Sequence, residues 1–220
     1  MRNAILLPNG LVLTTDNSAA IGEKEKDVVH ISDEVVAYFA ARVTILEQWA
    51  AKAFPQTIIV HNFSGSESWS KYIKGIKRLF DEIAEECPII TGSSETNMET
   101  LQSAMALSMI GEKQLEEFHD FQWYAYGKPC VGEEVIKEIQ AIADLMKIWE
   151  AMKSGLVHAV WPVGSTGIAG ECNRLGIEGY LDGWNLNISA GPATTVLLGI
   201  SPTREQEAKL HFGKHFQAIK

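Results

Sequence analysis

The sequence has few cysteines, no excess of basic residues and no long hydrophobic run. Its three cysteines, Cys87, Cys130 and Cys172, are far apart, and no two have the spacing of a metal site or a redox pair. This pattern predicts reduced thiols and a cytoplasmic protein. The apolar run at residues 4–7 is broken by Pro8 and is too short for the apolar region of a signal peptide. No stretch is long enough to span a membrane, so we expect no membrane partner.

The balance of charge is acidic. The 220 residues include 28 acidic and 19 basic side chains, which gives a net charge of −9. A protein that binds a phosphate backbone needs a basic face, so this composition argues against nucleic acid as a partner. It leaves open a nucleotide, which a few residues and a metal ion can hold. The hydrophobic content of 46% is ordinary for a globular protein with one large or two small domains.

Hydrophobic periodicity predicts alternating strands and helices in the first half of the chain. Apolar residues recur at three- and four-residue steps after Ser32 and again from Trp69, which indicates two amphipathic helices. Residues 57–62 and 89–90 are rich in β-branched side chains and indicate buried strands. Residues 101–110 are interpreted as a further long strand. The order strand–helix–strand–helix–strand predicts an α/β sheet with βαβ connections.

The second half of the chain is punctuated by glycine and proline and is predicted to form a second α/β lobe. Residues 114–127 are interpreted as the connection between the lobes. Residues 133–153 are predicted to form one long helix, which Gly155 ends. Shorter strands are predicted at residues 156–161, 177–181 and 193–200.

The segment 88–98 is the most distinctive candidate site. A short strand is predicted to enter a turn at Thr91-Gly92, after which several polar side chains follow in close succession. Glycine lets a backbone approach a ligand closely, and consecutive N–H groups there cradle an anion. A carboxylate beside such a nest suits a divalent cation that bridges phosphate oxygens. Taken alone, the segment also fits a polar turn between strands. The candidate ligands are Gly92, Ser93, Ser94, Glu95, Thr96 and Asn97.

Two other loops carry candidate residues. Asp16 is predicted to lie just past a strand at residues 11–15, where a carboxylate is as commonly a turn cap as a metal ligand. A second glycine-containing loop lies between a predicted strand and a helix and is a candidate anion site. It lacks the lysine and the six-residue span of a P-loop, so it is not one. That loop consists of Gly164, Ser165, Thr166 and Gly167.

The chain has four distinctive segments, residues 15–22, 35–43, 91–97 and 189–193. Together they resemble the superfamily of aminoimidazole ribonucleotide synthetase, thiamine monophosphate kinase and selenophosphate synthetase. Within that superfamily they look most like the α-ribazole kinases of cobalamin salvage. In the wider superfamily the first loop is typically Asp-Gly-x-Gly-Thr-Lys, whose Asp matches Asp16. The Gly-Gly-Glu-Thr loop matches residues 92–96 with a one-residue adjustment. The resemblance covers the first 110 residues well and the remainder thinly.

The resemblance implies a PurM-like fold in two lobes. Residues 1–115 would form an N-terminal ATP-binding lobe built on a βαβαβ sheet, and residues 116–220 a shortened C-terminal α/β lobe. It implies ATP and Mg²⁺ as cofactors, with Asp16 and Glu95 as metal ligands. Residues 92–97 would bind phosphates, and the loop Gly164 to Gly167 would close over the acceptor or the phosphate end. A homodimer with nucleotide sites at the subunit interface is also implied.

Three residues have roles that the resemblance implies less directly. Many superfamily members carry an Asn-Asp pair on the first long helix, and Arg42 occupies that place here. A cation there removes a magnesium ligand but contacts phosphate directly, whereas the residues alone also fit a solvated arginine. His61 or Asn62, at the end of a predicted strand, would orient the acceptor hydroxyl. A buried structural histidine is the alternative for His61.

Three functions are compatible with these residues. The first is a small-molecule kinase that moves the ATP γ-phosphoryl group to a nucleoside-like hydroxyl, with α-ribazole as the favoured acceptor. The second is an ATP-dependent synthetase or cyclase that activates an amide oxygen, which needs the same ATP cradle. The third is a non-catalytic homodimer that binds a nucleotide.

Overall fold

The computed structural model describes residues 2–114, 120–178 and 181–220. The chain divides into two units, residues 1–115 and 116–220. The strands and helices of the first unit are β1 (Ile5–Leu6), β2 (Leu11–Ala19), β3 (Ile21–Gly22), β4 (Val29–His30), α1 (Asp33–Ala50), β5 (Ala53–Asn62), α2 (Ser66–Glu82), β6 (Ile89–Ser94) and β7 (Ala104–Lys113).

Five strands of the first unit form one sheet in the order β1-β2-β7-β5-β6. β7 lies at its centre and is antiparallel to both β2 and β5, while β6 is parallel to β5 and is reached through α2. The prediction of a long strand at residues 101–110 is therefore confirmed, with its bounds shifted to Ala104–Lys113. The order β4-α1-β5-α2-β6 follows the chain as predicted. However, β4 pairs with β3 in a separate two-stranded sheet.

The two helices of the first unit follow from amphipathic patterns and pack on one face of this sheet. Ser32 caps α1, because its side chain accepts a hydrogen bond from the backbone N–H of Val35. Where the helices meet, Gly75 of α2 has no side chain, and a Cβ there would collide with the carbonyl oxygen of Glu34 on α1. The helices therefore approach more closely than any larger residue would permit. The core between helices and sheet includes Val12, Ile45, Leu46, Ile58, Val60, Ile76, Phe80, Leu107 and Met109.

The opposite face of the sheet is lined by exposed or half-buried side chains. Because side chains alternate along a strand, this face carries the residues between the buried ones. Register places Thr15, Ser108, Ile59 and Thr91 in one row across four strands. The edge of the face has Ile89, whose side chain is 77% exposed. Ile89 is one of several large apolar residues that the single chain leaves exposed.

The second unit is built on a four-stranded antiparallel sheet in the order β11-β8-β10-β9. One face packs on a cluster of buried residues that includes Ala125, Ile168 and Leu197. The other carries stacked aromatic rings, with the centroids of Tyr124 and Phe216 5.1 Å apart. Its elements are β8 (Gln122–Tyr126), α3 (Glu134–Lys137), α4 (Leu145–Lys153), β9 (Ala159–Pro162), α5 (Gly167–Leu175), β10 (Val196–Ile200), a 3₁₀ turn (Pro202–Arg204), α6 (Glu205–Phe212) and β11 (Phe216–Ala218).

The single helix predicted at residues 133–153 is wrong, because the structure has α3 and α4 separated by turns. Asp144 starts a new helix, since its side chain accepts from the backbone N–H of Lys147 at 3.0 Å. Between the helices, the N–H of Ala143 bonds the carbonyl of Thr194 at 2.8 Å. The carbonyl of Ala141 accepts from Lys128 at 2.8 Å. Backbone groups that would continue one helix are thus used by segments distant in sequence.

Two other predictions for the second half need correction. Residues 114–127 are not merely a connection, because Gln122–Tyr126 forms an inner strand of the second sheet. Residues 115–119 lie outside the described residues. The strand predicted at 177–181 is absent at 177, 178 and 181, and residues 179–180 are not described. The strands predicted at 156–161 and 193–200 are confirmed with shorter bounds.

Among the described ranges, no helix is long and apolar enough to cross a membrane. The three cysteines are free thiols, and Cys130 and Cys172 are buried. Burial raises the pKa of both of these thiols. Neither is therefore a reactive thiolate of the kind that a catalytic cysteine requires.

Candidate functional site

The loops singled out in the first half of the sequence meet along one edge of the first sheet. β2 and β5 are each antiparallel to β7, and β6 is parallel to β5. Consequently β2, β5 and β6 all end at the same edge, which we call the carboxyl edge. The loops that follow Ala19, Asn62 and Ser94 leave the sheet there. In α/β sheets this is the usual position of a ligand site.

Gly92 lies inside a strand and not in a turn as predicted, because β6 continues to Ser94. It pairs with Val60 of β5. A Cβ built on Gly92 would collide with the carbonyl oxygen of Val60. The structural requirement for glycine at this position is therefore the close approach of two strands, and not the approach of a ligand.

Glu95 follows β6 and closes the next turn with its own carboxylate. Its Oε1 atom accepts hydrogen bonds from the backbone N–H groups of Asn97 at 2.6 Å and Met98 at 3.2 Å. These bonds hold the pKa of the exposed Glu95 carboxyl below its usual value. The predicted pair of anion-binding N–H groups is thus present, but Glu95 itself occupies it. A phosphate that used the same N–H groups would have to displace this carboxylate.

Asp16 lies within β2 and not beyond its end, because the strand predicted at 11–15 extends to Ala19. It is half-buried and shares the helix-facing side of the strand with Val12 and Thr14. Burial raises the pKa of Asp16 from 3.8 to about 7, and the nearby carboxylate of Glu47 adds to the increase. This carboxylic acid is therefore partly protonated at neutral pH.

Asp16 and Glu95 do not meet in one subunit. Register places Asp16 in one row with Leu107, Val60 and Gly92, so two strands separate β2 from β6. Three strand spacings correspond to about 14 Å. Within the part of the chain that the structure describes, no group of three or more His, Cys, Asp or Glu side chains could hold a metal ion. The strand order thus keeps Asp16 and Glu95 apart within one subunit, and Mg²⁺ binding by these two acids stays a prediction.

Arg42 is buried between α1 and α2, so both interpretations of it need correction. Its side chain is 1% exposed, which excludes a solvated arginine. Its guanidinium lies beside the hydroxyl of Tyr38, which donates to Glu82 at 2.6 Å. Glu82 is the last residue of α2, whereas α2 begins at the carboxyl edge. Arg42 therefore joins the two helices away from the predicted phosphate loop.

His61 and Asn62 end β5 in different environments. His61 is exposed, so the alternative of a buried structural histidine is wrong. Asn62 is buried, and its Nδ2 donates to the carbonyl of Gly65 at 2.7 Å and to Ser94 Oγ at 2.9 Å. Its Oδ1 accepts from the N–H of Ser64 at 2.9 Å. Asn62 thus ties the ends of β5 and β6 together, and the roles of Asn62 and His61 toward an acceptor stay predictions.

A buried carboxylate that sequence reasoning missed organises the same edge. Asp27 accepts from the backbone N–H and from Oγ of Ser103, both at 2.7 Å, and from the N–H of Lys24 at 2.8 Å. Burial raises the pKa of Asp27, but these hydrogen bonds outweigh it and the net pKa lies below the usual value. The contact fixes residues 23–28 against the start of β7. Since 76 residues separate Asp27 from Ser103, no local pattern indicates it.

In the second unit, the predicted strand–loop–helix order around Gly164 to Gly167 is confirmed by β9 and α5. Ser165 and Thr166 are exposed at the start of α5. The N–H of Gly167 donates to the carbonyl of Gly164 at 3.2 Å, and that of Ala169 to Leu186 at 3.0 Å. Two N–H groups of the first turn are thus satisfied internally. The anion-binding role of this loop stays a prediction.

Comparisons with known proteins give a clear answer at the level of the fold. The sequence matches no protein-family model and no curated protein. Thiamine monophosphate kinase (ThiL) from Aquifex aeolicus superposes with a TM-score of 0.62 at 12% identity, over 99% of this chain and 86% of that one. HypE in the HypE–HypF complex superposes with a TM-score of 0.60 at 13% identity, over 100% of this chain and 86% of that one. T. maritima PurL complexed with AMPPCP superposes with a TM-score of 0.59 at 12% identity, over 99% of this chain and 42% of that one.

These structures are members of the PurM-like superfamily, and the described chain has their mixed α/β fold. The predicted fold class is thereby confirmed. Other structures of the same relatives contain nucleotides: ThiL is complexed with AMPPCP and TMP, and HypE with ATP. With identities of 10–13%, these comparisons show a shared fold and do not show a shared activity.

Proposed function

We propose that this protein is an ATP-dependent kinase that transfers the γ-phosphoryl group to a hydroxyl of a nucleoside-like small molecule. The observation that carries the proposal is a fold shared along the whole chain with a kinase and with other proteins solved with AMPPCP or ATP. We assign ATP binding to residues 1–115 and a shortened C-terminal lobe to residues 116–220. α-Ribazole is the favoured acceptor, on the sequence resemblance of segments such as residues 15–22 and 91–97.

Phosphoryl transfer requires mainly positioning of the two substrates and compensation of charge. We propose that Ser93, Thr96 and Asn97, together with Ser94, contact the nucleotide at the carboxyl edge. His61, exposed beside them, is the candidate for orienting the acceptor hydroxyl. In the second unit, the loop from Gly164 to Gly167 is a separate candidate for binding an anion.

The proposed reaction includes Mg²⁺, but the two candidate ligands of one subunit, Asp16 and Glu95, do not form a site for it. Asp16 is half-buried with a pKa of about 7, and Glu95 lies three strands away. A metal ligand must be deprotonated, so Asp16 as it stands is a poor one. Nucleotide phosphates commonly supply much of the coordination of Mg²⁺. We therefore derive no step through the metal from these two acids.

The kinase proposal is tested by incubating the purified protein with ATP, Mg²⁺ and α-ribazole and identifying the product by mass spectrometry. We expect a product heavier by one phosphoryl group, formed only when ATP, acceptor and Mg²⁺ are all present, and lost with EDTA. ATP binding without any phosphorylated product would remove the kinase assignment. The fold assignment would stand in that case.

We also propose a homodimer formed through the uncovered face of the first sheet. The support is that face's apolar content, with Ile59 at its centre and Ile89 exposed at its edge. Replacing Ile59 by aspartate would place a charge in the contact and is expected to give a monomer in sedimentation velocity. Leu210→Asp, at a residue 79% exposed on α6, is the matched control and is expected to leave the dimer intact. A monomeric wild-type protein would refute the proposal.

A second candidate function is a homodimer that binds a nucleotide without catalysis. The separation of Asp16 from Glu95 and the burial of Arg42 favour it, because the two acids form no shared metal site in one subunit and Arg42 lies away from the phosphate loop. Thermal denaturation with ATP and Mg²⁺ distinguishes the candidates in combination with the product assay. A ligand at one hundred times its dissociation constant adds about 2.7 kcal/mol to the free energy of unfolding. A shift without turnover supports the second candidate, and no shift at millimolar ATP refutes both.

We propose a cytoplasmic location, supported by the absence of disulfides among three free thiols. The measurement is fractionation of cells that make the protein. Recovery from an oxidising compartment would contradict the proposal.

A further inference from the structure

A shallow pocket, largely open to solvent, lies at the carboxyl edge of the first unit, between the start of α2 and the end of β6. Its volume is about 350 Å³, and Ser66, Trp69, Gly92 and Ser94 line it. Pockets for small organic ligands start at about this size. Alternation along β6 directs the side chain of Ser94 toward the helices, and Gly92, two residues earlier on the same strand, contributes only backbone to the pocket wall. Neither Trp69 nor Ser66 has a role in the site described above.

Trp69 provides the apolar wall of the pocket. Its side chain is only half-buried in the core, so part of the ring faces the pocket. It begins the apolar stripe of α2, yet the residues further along the helix, such as Tyr72 and Ile76, are fully buried. The indole thus keeps an accessible surface inside a pocket. Aromatic side chains in such positions stack on planar rings, and base–aromatic stacking is tolerant of which base is bound.

Ser94 provides a directed hydrogen-bond donor beside this wall. Its Oγ accepts a hydrogen bond from Nδ2 of Asn62 at 2.9 Å. Asn62 is buried, and its further bonds to Gly65 and Ser64 fix its orientation. A hydroxyl that accepts from a fixed donor keeps its own proton for another partner. The proton of Ser94 is therefore available to an acceptor atom in the pocket, and the exposed hydroxyl of Ser66 is a second polar group at the rim.

We propose that this pocket is a base-binding subsite, in which a planar heteroaromatic ring stacks on Trp69 and a ring acceptor atom receives the Ser94 hydroxyl proton. The proposal deepens the proposed function and rests on it for the source of the ring. That source is either the nucleobase of the nucleotide or the aromatic base of the acceptor. The shared chemistry is a flat ring with an in-plane nitrogen or oxygen acceptor.

The direct test labels the protein with 5-fluorotryptophan and follows the six tryptophan resonances by ¹⁹F NMR. The signal of Trp69 is identified as the one lost in Trp69→Phe. ATP, α-ribazole and the ring-free compound ribose 5-phosphate are added in separate titrations. We expect the Trp69 signal to move with a ring-bearing ligand and to stay in place with ribose 5-phosphate. Movement with ATP alone assigns the nucleobase to the pocket, and movement with α-ribazole alone assigns the base of the acceptor.

A binding measurement adds a matched pair of variants. In calorimetry, Trp69→Leu is expected to weaken binding of the ligand that moves the Trp69 signal. The dissociation constant should rise by about tenfold or more, since stacking is lost. Trp149→Leu changes an equally half-buried tryptophan on α4 of the second unit and is expected to leave the affinity unchanged. Circular dichroism confirms that both variants are folded.

The outcomes separate this inference from the proposed function. A Trp69 signal that stays in place while a ring-bearing ligand saturates the protein refutes the subsite, and so does a wild-type protein that binds no ring-bearing ligand. A phosphorylated product formed while Trp69 is unaffected refutes the subsite and supports the kinase. A Trp69 response without any product refutes the kinase and supports the subsite.

Discussion

Replacing Gly92 by alanine is expected to lower the free energy of unfolding of the first unit by about 3 kcal/mol or more. The new Cβ would collide with the carbonyl oxygen of Val60, and other atoms of the Val60 backbone lie within 3 Å of it. Backbone in a parallel strand pair cannot move aside as a flexible side chain does, and overpacking of this kind costs about 1–3 kcal/mol or more. The φ angle of 158° adds strain for a residue with a side chain.

The control for this prediction is Gly10→Ala. Gly10 has a φ of +82°, but no atom lies within 4 Å of a Cβ built there. Alanine at this position is expected to cost only about 1–2 kcal/mol, the usual penalty of a left-handed conformation. Urea denaturation gives both values, and hydrogen exchange of the β6 amides shows whether its pairing with β5 is lost. Equal costs for the two variants would show that the contact with Val60 is not the cause.

Replacing Asp16 by asparagine is expected to stabilise the protein at pH 8 and to have little effect at pH 3. The pKa of Asp16 is about 7 in the folded protein against 3.8 for an ordinary aspartate, so the folded state binds its proton more tightly than the unfolded state. Stability therefore falls as the pH rises from about 4 to about 7, and the cost remains above pH 7. Three pH units correspond to about 4 kcal/mol at most. Partial solvation of the side chain reduces our expectation to about 2 kcal/mol.

The measurement is urea denaturation of wild type and Asp16→Asn at several pH values. Glu95→Gln provides a comparison of opposite sign, because backbone hydrogen bonds lower the pKa of Glu95 below 4.5. That variant is expected to be less stable than wild type at neutral pH, with the difference fading as the pH falls below the ordinary value. An Asp16→Asn variant that is no more stable than wild type at pH 8 would show that the carboxylate is ionised without cost. It would then be a better candidate for a metal ligand.

The sequence predicted the elements whose patterns are local. α1 and α2 follow from three- and four-residue repeats of apolar side chains, and Ser32 marks the start of α1. The single helix predicted over residues 133–153 is wrong because contacts distant in sequence interrupt it. Its middle is broken by a cap at Asp144 and by a backbone bond to Thr194, about fifty residues further along. A regular pattern of apolar residues does not report such distant partners.

The candidate site shows the same limit. The residues after β6 predict a turn that binds a phosphate, whereas in the structure Glu95 itself accepts from the N–H groups of Asn97 and Met98. The sequence alone does not show that the anion bound there is the chain's own carboxylate, because that depends on how the turn folds. The burial of Arg42 and Asp16 depends on how α1 packs on α2 and β2, which single residues do not reveal.

The close contact at Gly75 has a consequence for how the first unit moves. At this crossing the backbone of α2 rests directly on the carbonyl of Glu34, so no side chain separates the helices there, and sliding would drive main-chain atoms into each other. Sliding of α1 past α2 is therefore restricted at this point. We expect a rearrangement that accompanies ligand entry to involve the segments that leave the carboxyl edge, such as residues 95–103, more than this helix crossing.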